Sequence, residues 1–483
     1  MIEIHIVWGV FFICRWTGPV DNRVSRRRHL LRPLSGPNGA KPMNTPMNRR
    51  QFTKTTVATL AGMTAVSTSL HGAEKAGRTA RLGFIGVGGR GTSLLRNTLG
   101  LKPARVTAVC DVNPASAARA QKLVVAAGQP EPAAYTKSET DFERMLQRDD
   151  VDAVVISTPW EWHAPMAVAA MKQGKYVGVE VPCAITLEEC WQLIRTNETT
   201  GVPCMMLENW SFRRDNLAVL NMIRQGLFGQ IVHCHSAHSH NCIYWYMDAR
   251  GYPRWSGKHL LARCADQYPT HTLGPVLSWM DINCGDRFET IVSMATGQFG
   301  ITDQLTRRYG ADHEPASYDW RQGDVVTSLI RTAKGKTIVV NMDMQLPRPY
   351  DNRWMIQGTR GLYSEERDSV YLAGLEGPAH RKEEWELFKP FQEKYDHRWW
   401  TEAISSIPHA QDHGGTDSLQ MHLFVEAVRT GTPLPLDVYD SVVMSCLFPL
   451  SEQSIAAGSQ PIACPDFTSG KWKTRKPYFA LES

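Results

Sequence analysis

Three glycines within a six-residue stretch constrain this chain most strongly. Gly86, Gly88 and Gly91 follow an apolar run that is typical of a strand and open a segment with helical periodicity. In such a junction the first glycine permits a tight turn, the second lets the backbone approach a pyrophosphate, and the third lets the helix pack on the strand. The helix then begins with N–H groups that can bind phosphate. The spacing predicts a dinucleotide-binding turn; the alternative is an ordinary glycine turn.

A carboxylate follows the next predicted strand, at Asp111, 20 residues beyond Gly91. A carboxylate at this place accepts hydrogen bonds from ribose hydroxyls and repels a 2′-phosphate, so the pattern favours NAD over NADP. The alternative role for Asp111 is that of a helix-capping residue. Arg90 can contact either a 2′-phosphate or the pyrophosphate, and we favour the pyrophosphate.

Two domains follow the leader. From residue 80 to 207, short Val- and Ile-rich runs alternate with helical segments, which predicts an α/β, doubly wound Rossmann domain with a parallel sheet. From 208 to 483 the strand-like segments lose their regular crossover helices. They predict an α+β domain with a large, open, mostly antiparallel sheet that holds the substrate (231–240, 288–296, 325–332, 337–344 and 352–358). The segment 363–415 reads as irregular.

Composition excludes several classes of protein. The net charge of +5 comes from residues 1–75, where eleven Lys and Arg face three acids, so the folded body is slightly acidic and has no footprint for nucleic acid. The eleven cysteines form no Cys-x-x-Cys pair, so neither a disulfide framework nor a zinc site is predicted.

Residues 1–75 are interpreted as a leader. Asn48-Arg49-Arg50-Gln51-Phe52-Thr53-Lys54 is a twin-arginine pattern, and the apolar run 55–70 is too short and mild to span a membrane. Such signals export folded proteins, so we expect a periplasmic or extracellular location. Residues 1–42 fit no export pattern, which favours Met43 or Met47 as the true start.

Polar residues gather where the later strands of the first domain end. Thr158 to His163 follow the strand at 151–157, Glu180 and Val181 follow the next strand, and Glu208 and Asn209 follow the last. Ligands bind at this carboxyl edge of doubly wound sheets. His163 can equally be a structural residue at the start of a helix.

In the second domain, Tyr268 and His271 lie close enough along the chain for acid–base work, and Tyr350 is a similar case. The alternative for His271 is a core histidine with a satisfied ring. His233, His235, His238 and His240 lie at strand spacing. We expect these histidines to line a polar sugar pocket rather than to bind a metal, because no Cys or carboxylate completes a metal site.

These motifs together resemble the glucose–fructose oxidoreductase, inositol dehydrogenase and MocA superfamily. Within it, several blocks look like glycoside hydrolase family 109, the NAD-dependent α-N-acetylgalactosaminidases (Trp160 to His163, Val179 to Pro182, Cys204 to Asn209, Tyr268 to His271, and Leu346 to Tyr350). The resemblance implies that NAD contacts Gly89, Arg90, Asp111, Trp160, Glu161, Trp162, His163, Glu180, Val181 and Asn209. It implies that the sugar contacts Tyr268, Pro269, Thr270, His271 and Tyr350, with His238 as a further lining residue.

Two departures accompany the resemblance. Dehydrogenases of the superfamily carry a proton-transferring lysine where this chain, like the hydrolase family, has Val181. Valine carries no proton, so acid–base work must pass to other residues, of which His271 and Tyr268 are the candidates. In the region expected to contact the sugar, His238 and Asn241 replace Tyr and Asp, and Ala265 replaces a small polar residue.

The leading hypothesis is a glycosidase that oxidises C3 of its sugar transiently with bound NAD, eliminates the glycosidic oxygen, adds water and returns the hydride. NAD-dependent hydrolysis is a known exception to the two-carboxylate rule. The alternatives are a sugar oxidoreductase with net hydride transfer, which Val181 disfavours, and a non-catalytic sugar sensor. A homodimer through the open sheet is also expected from the resemblance.

Overall fold

The computed structural model describes residues 78–374, 384–407 and 412–481. The twin-arginine leader, the run 55–70 and the candidate start residues lie outside the described residues. Within the described part of the chain, no helix combines the length and apolar character needed to cross a membrane.

The first half is a parallel sheet of six strands. The order is β3-β2-β1-β4-β5-β6, and every neighbouring pair is parallel (β1 Ala80–Ile85, β2 Ala104–Cys110, β3 Ala133–Tyr135, β4 Ala153–Ile156, β5 Tyr176–Val179, β6 Cys204–Met206). The central strands are buried, since each is an apolar run covered on both faces. The strand order reverses between β1 and β4, so the carboxyl ends of these strands open a crevice. The predicted doubly wound class is confirmed.

Helices connect these strands (α1 Gly89–Leu99, α2 Pro114–Ala126, α3 Phe142–Leu146, α4 His163–Lys172, α5 Leu187–Thr200). Local sequence explains two of their starts. The side chain of Asn113 caps α2, which has Pro114 at its first position. Thr186 and Glu189 form a reciprocal capping box at the start of α5.

The second half is built on a sheet of nine strands in the order β14-β13-β12-β11-β7-β10-β9-β8-β15 (β7 Ile231–Ser239, β8 Phe288–Ala295, β9 Val326–Thr332, β10 Thr337–Asp343, β11 Met355–Gly358, β12 Gly361–Ser364, β13 Ser369–Leu372, β14 Glu386–Leu387, β15 Ile462–Ala463). Its pairs are antiparallel except for β7 with β10. The predicted large, mostly antiparallel sheet is therefore confirmed. The expectation of an irregular segment over 363–415 was wrong, because β13, β14 and short helices lie within it.

The second half also contains nine helices among the described residues (α6 Arg214–Arg224, α7 Ile243–Tyr246, α8 Trp255–Ala262, α9 Thr270–Trp279, α10 Gly300–Tyr309, α11 Lys389–Lys394, α12 Arg398–Thr401, α13 Thr416–Thr430, α14 Val438–Ala456). Helix α14 joins the two halves. Its Ser441 hydroxyl accepts a hydrogen bond from the N–H of Met206 in β6, at 2.8 Å, and its Ser454 hydroxyl accepts one from the N–H of Ser293 in β8, at 2.9 Å. The two halves therefore share one continuous core, which fixes the crevice between them.

Candidate active site

The glycine turn between β1 and α1 has two positions that only glycine can occupy. Gly86 has φ +81°, and a Cβ there would lie 2.7 Å from the carbonyl oxygen of Ser157. A Cβ on Gly91 would lie 1.9 Å from the carbonyl oxygen of Gly86, so helix and strand approach too closely for any side chain. At Gly88 and Gly89, by contrast, a Cβ would meet nothing within 4 Å. The backbone at these two positions therefore borders open space.

This open space belongs to a cleft of about 1330 Å³, called the cofactor cleft below. Asp111 stands at one side of it. One carboxylate oxygen accepts the N–H of Val87 at 2.9 Å and the other accepts the N–H of Asn113 at 2.8 Å. Helix α1 begins at Gly89 without a side-chain cap, so its first N–H groups are left for a ligand. Predicted residues that line the cleft are Gly86, Gly88, Gly89, Arg90, Asp111, Glu161 and Trp162.

Within the stretch from Trp160 to His163, Glu161 and Trp162 line the cofactor cleft, whereas Trp160 and His163 are buried. Both ring nitrogens of the buried His163 face backbone carbonyl oxygens, of Pro182 at 2.7 Å and of Thr158 at 2.8 Å. These two contacts fix the orientation of the ring, and burial lowers the pKa of His163 below its ordinary value. Trp160 is also buried and packs edge-on against Trp245, with 5.7 Å between ring centroids.

Arg90 is held by two carboxylates. Its Nε donates to Glu180 at 2.6 Å, and its terminal nitrogens donate to both oxygens of Asp417 at 2.5 and 3.0 Å. Burial alone would lower the pKa of Arg90, but the charges of Glu180 and Asp417 outweigh it and raise the pKa. Asp417 also accepts from Asn209, at 2.8 Å, and from His413 Nδ1, at 2.8 Å. Arg90, favoured for the pyrophosphate on sequence grounds, therefore has each of its three nitrogens bonded to a carboxylate within the protein, with one further N–H left on each terminal nitrogen.

His271 forms a dyad with Glu208, a fully buried residue at the end of β6. His271 Nδ1 lies 2.8 Å from a Glu208 oxygen, and that carboxylate also accepts the N–H groups of Trp210 and Ser211 at 2.9 and 2.8 Å. Helix α9 can approach Glu208 this closely because Gly274 has no side chain. A Cβ at this position would lie 2.0 Å from a Glu208 oxygen. The Nδ1 contact leaves His271 Nε2 as the reactive nitrogen, as in hydrolases whose histidine is oriented by a carboxylate.

Two tyrosines and two histidines stand beside His271. The ring centroids of Tyr268 and His238 lie 5.0 and 5.2 Å from that of His271, and His240 lies 4.9 Å from Tyr350. Burial, with the nearby histidines, lowers the pKa of His238 well below its ordinary value and that of His240 to about 4. Both imidazoles are therefore neutral at pH 7 and can accept or donate hydrogen bonds.

Three adjoining cavities connect these groups. The cofactor cleft shares Arg90, Ser157, Thr158, Trp245 and Trp255 with a cavity of about 690 Å³, called the middle cavity. The middle cavity shares Trp245, Tyr268, His271 and His413 with a third of about 590 Å³, called the outer cavity. A ligand in the outer cavity can thus reach the inner end of a dinucleotide, with His271 and His413 between them.

Comparison with known proteins agrees with this geometry. Residues 80–208 match the model of the oxidoreductase family, NAD-binding Rossmann fold, and residues 212–474 match that of glycosyl hydrolase 109, C-terminal domain. The chain is 40% identical to the alpha-N-acetylgalactosaminidase of Tannerella forsythia, and the alignment covers 83% of this chain and 89% of that enzyme. It is 39% identical to a glycosyl hydrolase family 109 protein of Shewanella pealeana, and the alignment covers 89% of this chain and 98% of that protein. This chain belongs to glycoside hydrolase family 109.

Solved structures show the same fold outside family 109. The scyllo-inositol dehydrogenase of Lactobacillus casei, with bound NAD(H) and scyllo-inositol, aligns with a TM-score of 0.57 at 13% identity over 80% of this chain and 99% of that one. An NAD-binding oxidoreductase of Klebsiella pneumoniae aligns with a TM-score of 0.60 at 17% identity, and the alignment covers 80% of this chain and 100% of the oxidoreductase. The predicted family is confirmed, and this family 109 member is a glycosidase that uses NAD.

The residues of the cleft fit NAD. Gly88 and Gly89 leave room for a pyrophosphate beside the uncapped start of α1. Asp111 supplies a carboxylate at the ribose position. Further in, Asn209 Oδ1 and Ser157 Oγ are buried in the wall of the middle cavity without a partner among the described residues. Such polar atoms require a ligand or water to satisfy them.

The structure brings most of the predicted site residues together. Residues that line the middle or outer cavity are Arg90, Trp160, His163, Glu180, Val181, Asn209, His238, Tyr268, His271 and Tyr350. Pro269 and Thr270 line neither, and serve to start helix α9. His233 and His235 bond instead to Thr337 and Asn341 on β10, away from these cavities.

Sequence reasoning missed other residues of the site. His413 and Asp417 belong to a segment without a recognisable motif, and Glu208 was noted only as a strand end. The sequence carries one signal at this point, because Gly414 and Gly415 follow His413. The structure shows His413 itself at φ +48°. A non-glycine residue in this backbone region often marks a functional site.

Proposed function

We propose that this protein hydrolyses terminal α-N-acetylgalactosaminides, or a closely related sugar, with NAD recycled in every turnover. The observation that carries the proposal is the position of His271. Its ring lies in the wall shared by the middle and outer cavities, and the buried Glu208 fixes its Nδ1. An oriented imidazole beside a hydride acceptor suits proton removal next to a new carbonyl group. The printed name of the relative from Tannerella forsythia supports the choice of sugar.

His271 acts on the hydrogen at C2 of the sugar. When bound, NAD would supply the hydride acceptor for oxidation of C3, with the hydroxyl proton passing to solvent, and the same hydride with a solvent proton would restore C3 at the end. Once C3 is a ketone, the C2 hydrogen is acidic, and His271 Nε2 removes it. The electron pair left behind forms a double bond between C2 and C1 while the bond from C1 to the leaving oxygen breaks. Glu208 stabilises the resulting imidazolium through the Nδ1 hydrogen bond.

Tyr268 is better suited to donate than to accept a proton. Burial raises the pKa of its phenol well above the ordinary value, so Tyr268 remains protonated at neutral pH. A neutral phenol in the wall of the cavity can donate a hydrogen bond to a sugar oxygen. Of the two candidate bases, this supports His271.

His413 supplies a proton to the leaving oxygen. The hydrogen bond to Asp417 raises the pKa of His413, since the negative carboxylate stabilises the imidazolium. Its side chain is half-buried and borders both the middle and the outer cavity. His271 and His413 thus supply a base and an acid without a pair of catalytic carboxylates.

The remaining steps restore both catalyst and cofactor. Water adds to C1, His271 returns its proton to C2, and His413 recovers a proton from the attacking water. Reduction of the C3 ketone then completes hydrolysis. No net oxidation occurs, so NAD need not exchange with solution between turnovers.

The test uses p-nitrophenyl α-N-acetylgalactosaminide and protein purified with its NAD. We expect release of p-nitrophenol, no accumulation of NADH, and deuterium at C2 of the product when the reaction is run in D2O. His271→Ala should lower kcat by about 10²–10⁴-fold while NAD remains bound. His235→Ala is the matched control, because His235 bonds to Asn341 outside the three cavities.

Two outcomes would contradict this proposal. Full activity in His271→Ala would remove the assigned base. NADH formed in proportion to oxidised sugar would instead support the sugar oxidoreductase alternative.

The sequence and the sheet surface also support proposals about the location of this protein and its oligomeric state. We propose export by the twin-arginine route, from the pattern Asn48 to Lys54. We also propose a homodimer through the outer face of the nine-stranded sheet, where Met294 and Leu329 are 63% and 48% exposed. Fractionation of expressing cells and light scattering of the purified protein test these two points.

A further inference from the structure

The charged side chains that line the cofactor cleft include few cations that could bind the pyrophosphate of a dinucleotide. Among the described residues, the charged side chains lining the cleft are Arg90, Asp111, Glu139, Glu161 and Arg254. A pyrophosphate adds negative charge to this set. Buried or half-buried anions need a cation or several N–H donors beside them.

Arg90 is poorly placed to supply that cation. Its Nε and both terminal nitrogens already donate to Glu180 and Asp417. Two carboxylates surround its single positive charge, so this group of three carries no positive excess. The glycine turn contributes N–H groups but no full charge.

Arg254 is the other cation of the cleft. Its side chain is exposed, and within the described part of the chain its guanidinium has no hydrogen bond or ion pair. Its backbone is fixed, since its N–H donates to the carbonyl oxygen of Tyr246 at 2.8 Å. An unpaired guanidinium on a fixed backbone is well suited to bind phosphate.

Arg254 reaches the cleft on a segment of the second half, residues 242–262, called the strap. The strap is pinned to the first half at Trp160. The ring centroid of Trp160 lies 5.4 Å from that of Trp255 and 5.1 Å from that of His259. His259 Nε2 also lies 3.5 Å from a carboxylate oxygen of Glu161. These contacts hold the strap against the first half, where its Trp245, Arg254 and Trp255 line the cofactor cleft.

We infer that Arg254 binds the pyrophosphate of NAD together with the N–H groups of the glycine turn. The strap then makes cofactor retention a property of both halves of the molecule. A recycled cofactor benefits from slow release, because a turnover without net oxidation needs no exchange. The inference requires only that the protein binds NAD; it does not depend on which sugar is hydrolysed.

The experiment measures the rate at which the purified holoenzyme releases NAD after dilution, at low and at high ionic strength. Arg254→Gln should release NAD about tenfold faster at low ionic strength, because one charge-assisted contact is lost. Its release should also depend less on salt than that of the wild type, since salt screens the contact that the variant lacks. Arg254→Lys should retain most of the salt dependence.

Arg250→Gln is the matched control. Arg250 lies on the same strap with its side chain 80% exposed, pairs with Asp248, and is not among the cleft residues. Its NAD release should equal that of the wild type. The inference is overturned if Arg254→Gln releases NAD at the wild-type rate, or releases it faster with an unchanged salt dependence. No sugar is present, so these outcomes are independent of the proposed hydrolysis.

Discussion

In the parallel-sheet half, the cofactor-cleft residues come from successive strand ends and the turn after β1, whereas the residues around the outer cavity come from widely separated segments. Gly86 to Gly91, Asp111 and Glu161 follow β1, β2 and β4 in order. His238 lies on β7, Tyr268 precedes α9, Tyr350 lies between β10 and β11, and His413 precedes α13.

This difference has a physical basis. A parallel sheet places the ends of its strands at one edge, so chain order alone brings those residues together. The second half relies on tertiary contacts, and Glu208 shows this most clearly. It ends a strand of the first half but orients His271, on a helix of the second. Changes to the glycine turn should therefore remove cofactor binding, and changes around His271 should lower catalysis while NAD stays bound.

The largest expected effect comes from Gly91→Ala. The new Cβ would lie 1.9 Å from the carbonyl oxygen of Gly86, so the turn must open. We expect loss of bound NAD, loss of all activity, and destabilisation by about 2–3 kcal/mol. Absorbance of NAD released from the purified protein and thermal unfolding measure these effects. Gly89→Ala, which has open space, should unfold at the wild-type temperature; a Gly91→Ala protein that keeps its NAD would contradict the steric argument.

Glu208→Gln tests the other side of the comparison. The amide cannot stabilise the His271 imidazolium as a carboxylate does, so kcat should fall by about 10²–10³-fold. KM and NAD content should stay close to those of the wild type, because Glu208 positions the base and touches neither ligand. Steady-state kinetics and cofactor analysis provide the measurement. Glu452→Gln, in an ion pair with Arg263 outside the three cavities, is the control. An equal loss of kcat there would show general damage.

Asp417→Asn should change the pH dependence. Asp417 raises the pKa of His413, and His413 must be protonated to act as an acid. Without the carboxylate the proton is lost at lower pH, so the alkaline limb of the kcat profile should move toward lower pH. Asp412→Asn, whose carboxylate accepts from Ser93, should leave the profile unchanged. An unshifted alkaline limb in Asp417→Asn would exclude His413 as the acid.

The smallest expected effect is on the pH dependence of the free energy of unfolding, through the buried Asp266. Burial raises the pKa of Asp266 to about 7, and its Oδ2 has no partner among the described residues. The folded protein therefore holds a proton that the unfolded chain has lost, and stability should fall as pH rises from about 4 to about 7. Asp266→Asn should flatten this fall and add about 1–3 kcal/mol at neutral pH. Thermal midpoints across the pH range test it. Asp440, whose pKa burial also raises, should leave a residual slope in both proteins.

Much of the first half could be predicted, and less of the second. The glycine spacing and Asp111 identified the cofactor because their roles depend on neighbouring residues only. The short strands β13 and β14 escaped prediction, since strands of four and two residues show too little alternation to stand out from a loop. The fixed position of Arg90 also escaped it, because one of its partners, Asp417, lies 327 residues away.

The sequence by itself determined the cofactor fold, the choice of NAD and the membership of family 109. These follow from local spacing, strand periodicity and blocks of matching residues, none of which needs a distant contact. Only the tertiary structure decided which imidazole is held by a carboxylate, which arginine is already paired, and which tyrosine has its pKa raised by burial. The physical reason is that charge, burial and orientation depend on neighbours in space, and in this molecule those neighbours come from both sheets.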